Sequence, residues 1–261
     1  MEKNREAQEI GTTITVSSYD LERMERYNSR EGDLDGYDCP LCHNKGNRMT
    51  YRNGYEFFIE CECMQKRRWK WQLQKSGLAE LAEQYRFDTF RTENGLQQTM
   101  KALAEEFAEQ GSGWFFIGGQ VGCGKTHLCT AIANALLEQG KEIRYLVWTE
   151  EVGKLKALRM EETAYARAMA GWKQAEVLFI DDLFKTRSGG MPTDADVQIA
   201  FELLNARYND PKKITLLSGE RELREIMDID EALGSRIYQR CGKFKLSVGR
   251  ERSYNYRLRQ I

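Results

Sequence analysis

The sequence predicts an α/β fold in which a parallel β-sheet is flanked by helices and preceded by a small cysteine-rich module. Short apolar runs alternate with longer helical patterns from about residue 95 onward. Buried strands separated by helices are typical of a parallel sheet that is covered on both faces. A glycine-rich turn follows the first apolar run, at Gly119–Thr126, and four cysteines lie close together within residues 37–63.

Each element is predicted from the period and length of its apolar pattern. Short apolar runs bounded by turn residues are predicted as strands: Trp114–Ile117, Glu142–Trp148, Val177–Ile180, Ile214–Leu217 and Phe244–Val248. Longer segments with apolar residues at helical spacing are predicted as helices: Leu21–Arg30, Met64–Lys75, Leu96–Gln110, Lys125–Glu138, two helices between residues 150 and 171, Asp194–Tyr208, Glu220–Met227 and Asp230–Arg240. We divide the chain into an N-terminal module with a basic helix (1–75), a linker (76–94) and the α/β domain (95–261).

The composition is that of a globular protein, with 41% hydrophobic and 30% charged residues in a chain of 261. The net charge of −1 excludes binding of nucleic acid through the charge of the whole surface, but residues 236–261 hold eight basic residues and one acidic residue. The N-terminus has no apolar signal segment, and no apolar run is long enough to cross a membrane. We therefore expect a cytoplasmic protein without membrane partners, in which the seven cysteines serve metal or core roles.

The segment Gly119–Thr126 fits the pattern G-x-x-x-x-G-K-[ST] without a mismatch. Its glycines let backbone N–H groups point at phosphate oxygens, and the helix that follows adds its positive dipole end. We expect Lys125 to reach the β- and γ-phosphates of ATP and the Thr126 hydroxyl to bind Mg²⁺. His127 is expected to be packed rather than catalytic. The predicted nucleotide-binding residues are Gly119, Gln120, Val121, Gly122, Cys123, Gly124, Lys125, Thr126 and His127.

Two acids end the apolar strand VLFI. Asp181 and Asp182 come directly after it, which is the position of the second, acidic element of a phosphate-loop ATPase. We expect Asp181 to hold Mg²⁺, directly or through water. Asp182 is expected to orient or deprotonate the attacking water.

An ordered set of motifs resembles the AAA+ helicase loaders of the DnaC/DnaI/IstB type, and phage-encoded members in particular. These motifs are the phosphate loop, VLFIDDLFK, NARY, ITLLSGE, SRIYQR and the closing SYNYRLR. The resemblance covers most of residues 37–261. It implies an AAA+ P-loop ATPase whose parallel sheet is flanked by helices, with a small N-terminal zinc-binding module. Many related ATPases have Glu where this chain has Asp182, so we expect slow intrinsic hydrolysis, below about 10 per second.

The resemblance also implies roles for residues after the second acid. Ser218 matches the sensor 1 position, which detects the γ-phosphate or the attacking water. Arg236 matches an arginine finger, whose guanidinium stabilises charge on the transferring phosphoryl group of a neighbouring subunit. Arg240 is a candidate helper of Arg236, and Arg257 is a candidate for the sensor 2 position. We expect Arg207, by contrast, to pair with an acid on the surface of its helix.

Two pairs of closely spaced cysteines form a second candidate site: Cys39 with Cys42, and Cys61 with Cys63. Each pair can supply two thiolates to one tetrahedral zinc ion, with a hairpin turning at Asn53-Gly54 between the pairs. Reduced structural cysteines are the alternative, and His43 is an alternative ligand. In loaders of this type such a module docks on the replicative helicase, so the resemblance implies partner binding rather than catalysis.

Lys66–Trp71 (KRRWKW) combines basic residues with two tryptophans. It fits contact with single-stranded DNA by phosphate pairing and base stacking. It also fits a helix that packs Trp69 or Trp71 against the ATPase domain or a partner, and we favour this second interpretation. The basic run in residues 236–261 is the other candidate for DNA contact.

Together these features predict an ATP-dependent loader of the replicative DNA helicase (DnaB-type) in replication initiation. The expected cofactors are ATP, Mg²⁺ and Zn²⁺. The expected partners are the helicase, single-stranded DNA and further copies of the chain, joined through the arginine finger. The alternatives are a transposition helper ATPase of the IstB type, an ATP-switched zinc-containing DNA-binding regulator, and a small-molecule phosphotransferase. The last would need an acceptor-binding lid, for which we find no candidate segment.

Overall fold

A computed structural model describes residues 17–52, 55–75, 83–186 and 189–258. By its internal contacts the chain forms two compact units, Met1–Arg67 and Arg68–Ile261. The predicted turn at Asn53-Gly54 and residues 76–82 of the predicted linker lie outside the described residues. The domain limits at residues 75 and 94 stay a prediction.

The first unit holds a helix and a hairpin. The helix α1 (Ser18–Asn28) begins where the Ser17 side chain accepts a hydrogen bond from the Asp20 N–H, which places it earlier than the predicted Leu21–Arg30. The strands β1 (Asn47–Arg52) and β2 (Tyr55–Glu60) pair in antiparallel register. The Asn28 side chain fixes α1 to β1, because its amide donates to the carbonyl of Met49 and accepts from the N–H of the same residue.

Helix α2 (Cys63–Lys75) begins at the last cysteine of the cluster and contains the boundary between the two units. Within the second unit, Trp69 and Leu73 of this helix are buried in the same hydrophobic core as the phosphate-loop helix. The predicted helix Met64–Lys75 is therefore found in the structure.

The second unit is built on a five-stranded sheet. Its strands are β3 (Trp114–Gly119), β4 (Ile143–Val147), β5 (Val177–Asp181), β6 (Ile214–Gly219) and β7 (Lys245–Val248). Their spatial order is β4-β5-β6-β3-β7, and every neighbouring pair is parallel. The predicted parallel sheet is confirmed.

Helices cover both faces of this sheet, which explains why nearly every residue of the central strands is buried. One face packs on α3 (Gly95–Gln110) and α4 (Lys125–Glu138). The other face packs on the remaining helices: α5 (Trp148–Leu158), α6 (Glu162–Gln174), α7 (Asp194–Tyr208), α8 (Leu223–Ile229) and α9 (Glu231–Cys241). The fold therefore has three layers with the sheet in the middle.

The strand order decides which residues meet at the carboxyl edge of the sheet. Strand β6 lies between β3 and β5, so the residue that ends β6 stands between the phosphate loop and the acids that follow β5. Because the carboxyl ends of parallel strands share one edge, a ligand site is expected there.

The expectation for Arg207 is wrong. Its side chain is fully buried rather than paired on the helix surface. Its Nε donates to the Thr215 hydroxyl at 2.9 Å, and its Nη1 and Nη2 donate to the carbonyls of Ala175 at 2.7 Å and Ile214 at 2.5 Å, among others. Burial lowers the pKa of Arg207 to about 10. The guanidinium satisfies carbonyls after the end of α6 and at the start of β6, where helix and strand ends leave acceptors without backbone partners.

Candidate functional site

The loop between β3 and α4 has the conformation of a phosphate cradle. Gly119, Gly122 and Gly124 all have φ in the left-handed region, at 108°, 73° and 94°. A side chain at Gly119 would overlap the carbonyl of Val248, and one at Gly122 would overlap the Asn255 side chain. These positions therefore need glycine for both conformation and space.

Lys125 is held at the centre of this loop. Its Nζ donates to the carbonyls of Gly119 at 2.9 Å and Gln120 at 2.7 Å, and the residue is buried. The loop thus folds around one positive charge, which together with the N-terminus of α4 fits the phosphates of a nucleotide.

The Asp181 carboxylate accepts several hydrogen bonds beside the loop. Its Oδ1 accepts from the Ser218 hydroxyl, and from Thr126 Oγ1 and the Asp182 N–H at 3.1 Å each. Its Oδ2 accepts from the Tyr145 hydroxyl at 2.8 Å. Burial raises the pKa of Asp181, and the hydrogen bonds from Ser218, Tyr145 and Thr126 oppose that rise.

A hydroxyl and a carboxylate oxygen in contact are ligands that Mg²⁺ takes in nucleotide sites. The 3.1 Å contact between Thr126 and Asp181 therefore fits the predicted magnesium pair. Ser218 comes from the neighbouring strand β6 and reaches the same carboxylate. The structure thus brings together the loop, the first acid and the predicted sensor.

Asp182 begins a tight turn after β5. It has a left-handed φ of 59°, as does Phe184 at 60°, which is unusual for residues other than glycine. Its carboxylate pairs with Lys185 Nζ at 2.9 Å, and the same ammonium pairs with Glu220 at 3.0 Å. The roles of Lys185 and Glu220 were not predicted, although Lys185 ends the motif VLFIDDLFK and Glu220 ends ITLLSGE.

A cavity of about 640 Å³ opens above the loop and the turn. Its wall contains the polar residues Lys125, Thr126, Asp182, Lys185 and Glu220, together with aromatic side chains and arginines: Tyr85, Phe90, Arg91, His127, Tyr256 and Arg257. The charge pattern suits the phosphates of a nucleotide, and the rings suit its base.

His127 is packed, as expected, against aromatic rings of the cavity wall. It stacks on Tyr85 with ring centres 4.5 Å apart, and Phe90 meets its edge at 5.2 Å. Burial lowers its pKa, which favours the neutral imidazole. Tyr85, Phe90 and Tyr256 were not predicted as site residues, although the aromatic segments YRFDTF and SYNYRLR contain them.

Arg236 lies on α9 and does not line the cavity of its own chain. Its Nε donates to Asn205 Oδ1 at 3.0 Å, and its guanidinium lies 5.0 Å from the ring centre of Phe201 and 5.5 Å from that of Tyr208. Arg236 is thus held against α7 and away from the cavity residues of its own chain, and the arginine-finger role toward another chain stays a prediction.

The four predicted cysteines converge in the first unit. Their sulfur atoms all lie within 4.8 Å of one another, and all four residues are buried: Cys39, Cys42, Cys61 and Cys63. Burial raises the pKa of the Cys42 thiol, but hydrogen bonds from the Gly46 N–H and the other thiols outweigh it and lower that pKa to about 7. Four thiols at this separation suit one tetrahedral zinc ion. His43 is not a member of the cluster in the described part of the chain.

The basic-aromatic segment has one buried and one exposed tryptophan. Trp69 is buried and donates from its Nε1 to Asn134 Oδ1 at 2.8 Å, whereas Trp71 is 55% exposed. The packing interpretation is therefore correct for Trp69. Among residues 17–52, 55–75, 83–186 and 189–258, no helix combines the length and apolar character that a membrane span requires.

Comparisons with known proteins agree with this geometry. Residues 81–241 match the bacterial DnaA ATPase domain family. The chain is 34% identical over 244 residues to the phage-like element PBSX protein XkdC of Bacillus subtilis (strain 168), covering 88% of this chain and 90% of XkdC. The predicted resemblance to DnaC-like AAA+ proteins is confirmed.

Solved structures show the same fold. The DnaC helicase loader superposes with a TM-score of 0.51 at 21% identity, over 64% of this chain and 96% of that chain. The replication initiator DnaA bound to AMPPCP and single-stranded DNA superposes with a TM-score of 0.51 at 21% identity, over 63% of this chain and 49% of that one. The chain belongs to the bacterial DnaA ATPase-domain family and is an AAA+ ATPase with a DnaC-like fold.

Proposed function

We propose that this protein is an ATP-dependent loader of the replicative DNA helicase. The observation that carries the proposal is the contact of Thr126, Asp181 and Ser218 beside the phosphate loop, in a fold shared with a DnaC helicase loader. The cysteine module on the same chain supports it, because it supplies a second surface for a partner.

In the proposed ATP complex, loop N–H groups and Lys125 bind the phosphates. Thr126 and Asp181 would hold Mg²⁺, which when bound would neutralise charge on the phosphates. Asp182 orients the attacking water, and Ser218 detects the γ-phosphate from β6. The rings of Tyr85 and His127 form the wall against which the adenine packs.

Hydrolysis is proposed to be slow in the isolated chain and to speed up in an assembly. Arg236 does not line the cavity of its own chain, so the positive charge that an arginine finger supplies is missing until a neighbour provides it. ATP binding would therefore favour association of the loader with itself, the helicase and single-stranded DNA, and hydrolysis would reset the complex.

The cysteine cluster is proposed as a zinc site that stabilises the docking module. Cys39, Cys42, Cys61 and Cys63 would hold the ion, which when bound contributes folding energy to a unit with a small apolar core. We assign helicase binding to this first unit, and ATP binding and hydrolysis to the second unit.

Native mass spectrometry of the zinc-loaded protein with the host's replicative helicase tests this function. A defined complex that needs ATP and is lost in Lys125→Ala supports the loader. If no complex forms in any nucleotide state, the loader proposal is wrong. An ATP-dependent complex with a transposase would then favour the transposition helper, and sequence-selective binding of duplex DNA would favour the regulator.

A further inference from the structure

Lys185 occupies an unusual place on the wall of the nucleotide cavity. Its ammonium lies between two carboxylates, 2.9 Å from Asp182 Oδ2 and 3.0 Å from Glu220 Oε1. All three side chains line the cavity. Asp182 is the residue proposed to orient the attacking water, so the ion pair engages the group on which hydrolysis depends.

The backbone around Lys185 is fixed by several contacts. The N–H of Leu183 donates to the carbonyl of Ser218 at 2.9 Å, and the N–H of Lys185 donates to the carbonyl of Asp182 at 2.9 Å. Phe184 is buried and meets the edge of Trp148 with ring centres 5.5 Å apart. The backbone that carries Lys185 is therefore held in place, while its side chain, 38% exposed, reaches the two carboxylates.

We propose that Lys185 is a positioning residue that restrains Asp182. Its ammonium holds the Asp182 carboxylate away from the attacking water until the ammonium moves away. This inference rests on the role of Asp182 in the proposed function. While Oδ2 of Asp182 is occupied by the ammonium, it is not available to align a nucleophile. The restraint contributes to slow hydrolysis in the isolated protein.

Glu220 is the second carboxylate that holds the Lys185 ammonium. It follows Ser218 after the end of β6, whereas Asp182 follows β5, so Lys185 bridges the ends of two neighbouring strands. Movement of either strand end on nucleotide or partner binding would change the separation of the two carboxylates. The ion pair would then release Asp182 at the moment when the site is assembled.

The alternative role for a cation at this place is to bind the γ-phosphate directly. The two roles give opposite results. Removing a restraint raises kcat and leaves KM for ATP unchanged, since substrate binding does not use the residue. Removing a phosphate ligand raises KM or lowers kcat.

The test compares steady-state ATP hydrolysis by full-length Lys185→Met and by the parent protein, without partners. We expect kcat to rise about two- to fivefold, the range set by a partly exposed ion pair, with unchanged KM. Lys185→Arg keeps the positive charge and is expected to retain the parent rate. Lys154→Met is the matched control, because Lys154 pairs with Glu151 at 2.7 Å outside the nucleotide cavity.

A double-mutant cycle separates this inference from the proposed function. Asp182→Asn should lower hydrolysis, and adding Lys185→Met to it should give no further change, because the restrained group is gone. If Asp182→Asn alone leaves the rate unchanged, the role of Asp182 fails and the restraint fails with it. If Asp182→Asn lowers the rate but Lys185→Met does not raise it, or raises KM, the restraint alone is overturned.

Discussion

Tyr145 and Asp181 are joined side chain to side chain across two strands, with the tyrosine hydroxyl 2.8 Å from Oδ2 of the aspartate. Tyr145 lies on β4, an edge strand of the sheet, and its backbone N–H donates to Gln72 Oε1 of α2 at 2.7 Å. The ring of Trp69 meets Tyr145 edge-on at 6.1 Å. One residue therefore contacts both the predicted magnesium ligand and the helix that begins at the cysteine cluster.

Substitution of Tyr145 tests whether this contact matters for metal binding. Tyr145→Phe removes a donor from a buried carboxylate, so we expect the Mg²⁺ concentration for half-maximal binding of a fluorescent ATP analogue to rise up to about tenfold. Binding measured in EDTA should not change. Tyr165→Phe is the matched control, since its hydroxyl donates to Glu202 at 2.7 Å away from the site. Equal Mg²⁺ dependence in both variants would contradict the role of Tyr145.

The cysteine cluster predicts one zinc ion per chain. Metal analysis of the purified protein should find it, and Cys61→Ser should lose it, because three thiols and a hydroxyl hold zinc more weakly than four thiols. Cys241→Ala, which changes a buried cysteine of the ATPase unit, should keep full zinc content. No zinc in the parent protein would show that the four cysteines are structural, and full occupancy in Cys61→Ser would show that Cys61 is not a zinc ligand.

The arginine-finger role predicts complementation between two inactive variants. Lys125→Ala should lose nucleotide binding, whereas Arg236→Ala should bind ATP but lose the hydrolysis that partners stimulate. A mixture should regain part of that activity, because an intact Arg236 from one chain can act on ATP held by the other. Arg159→Ala, an exposed arginine on a different helix end, is the control.

Two outcomes would contradict the arginine-finger role of Arg236. If Arg236→Ala alone hydrolyses ATP normally in the presence of partners, Arg236 is a structural residue that fastens α9 to α7. If the mixture stays inactive while each variant is folded, the residue acts within its own chain.

Arg207 is predicted to be among the most costly residues to replace. Arg207→Met should destabilise the second unit by about 3 kcal/mol or more, because several buried carbonyls lose their donors. Urea unfolding measures this change. Arg159→Met should stay within about 0.5 kcal/mol of the parent, as is usual for an exposed position. Similar unfolding midpoints for the two variants would contradict this prediction. They would mean that water replaces the guanidinium without lowering the free energy of unfolding.

Local signals made much of the fold predictable. The bounds of Lys125–Glu138 and Asp194–Tyr208 agree with the structure, because the phosphate loop and the Thr193 cap set where these helices begin. The predicted helix Glu220–Met227 begins later, at Leu223, because Glu220 lies in the turn that faces the cavity and Glu222 is the cap.

The contacts that depend on strand order were not predictable from the sequence alone. Tyr145 reaches Asp181 only because β4 and β5 are neighbours, and Lys185 meets Glu220 only because β6 lies beside β5. Arg207 was misjudged because its side chain turns inward to carbonyls of two segments, at Trp172, 35 residues away in sequence, and at Ile214. The cysteine cluster was predictable because its spacing alone restricts the chemistry.

The central claim is that this ATPase places a replicative helicase on DNA. The most direct measurement incubates the helicase with closed circular single-stranded DNA coated by a single-strand-binding protein, then counts helicase bound to the DNA after gel filtration. With ATP and the parent protein we expect bound helicase to rise at least tenfold, and Lys125→Ala to give no increase. Equal amounts of bound helicase with the parent protein, with Lys125→Ala and with neither would contradict the account.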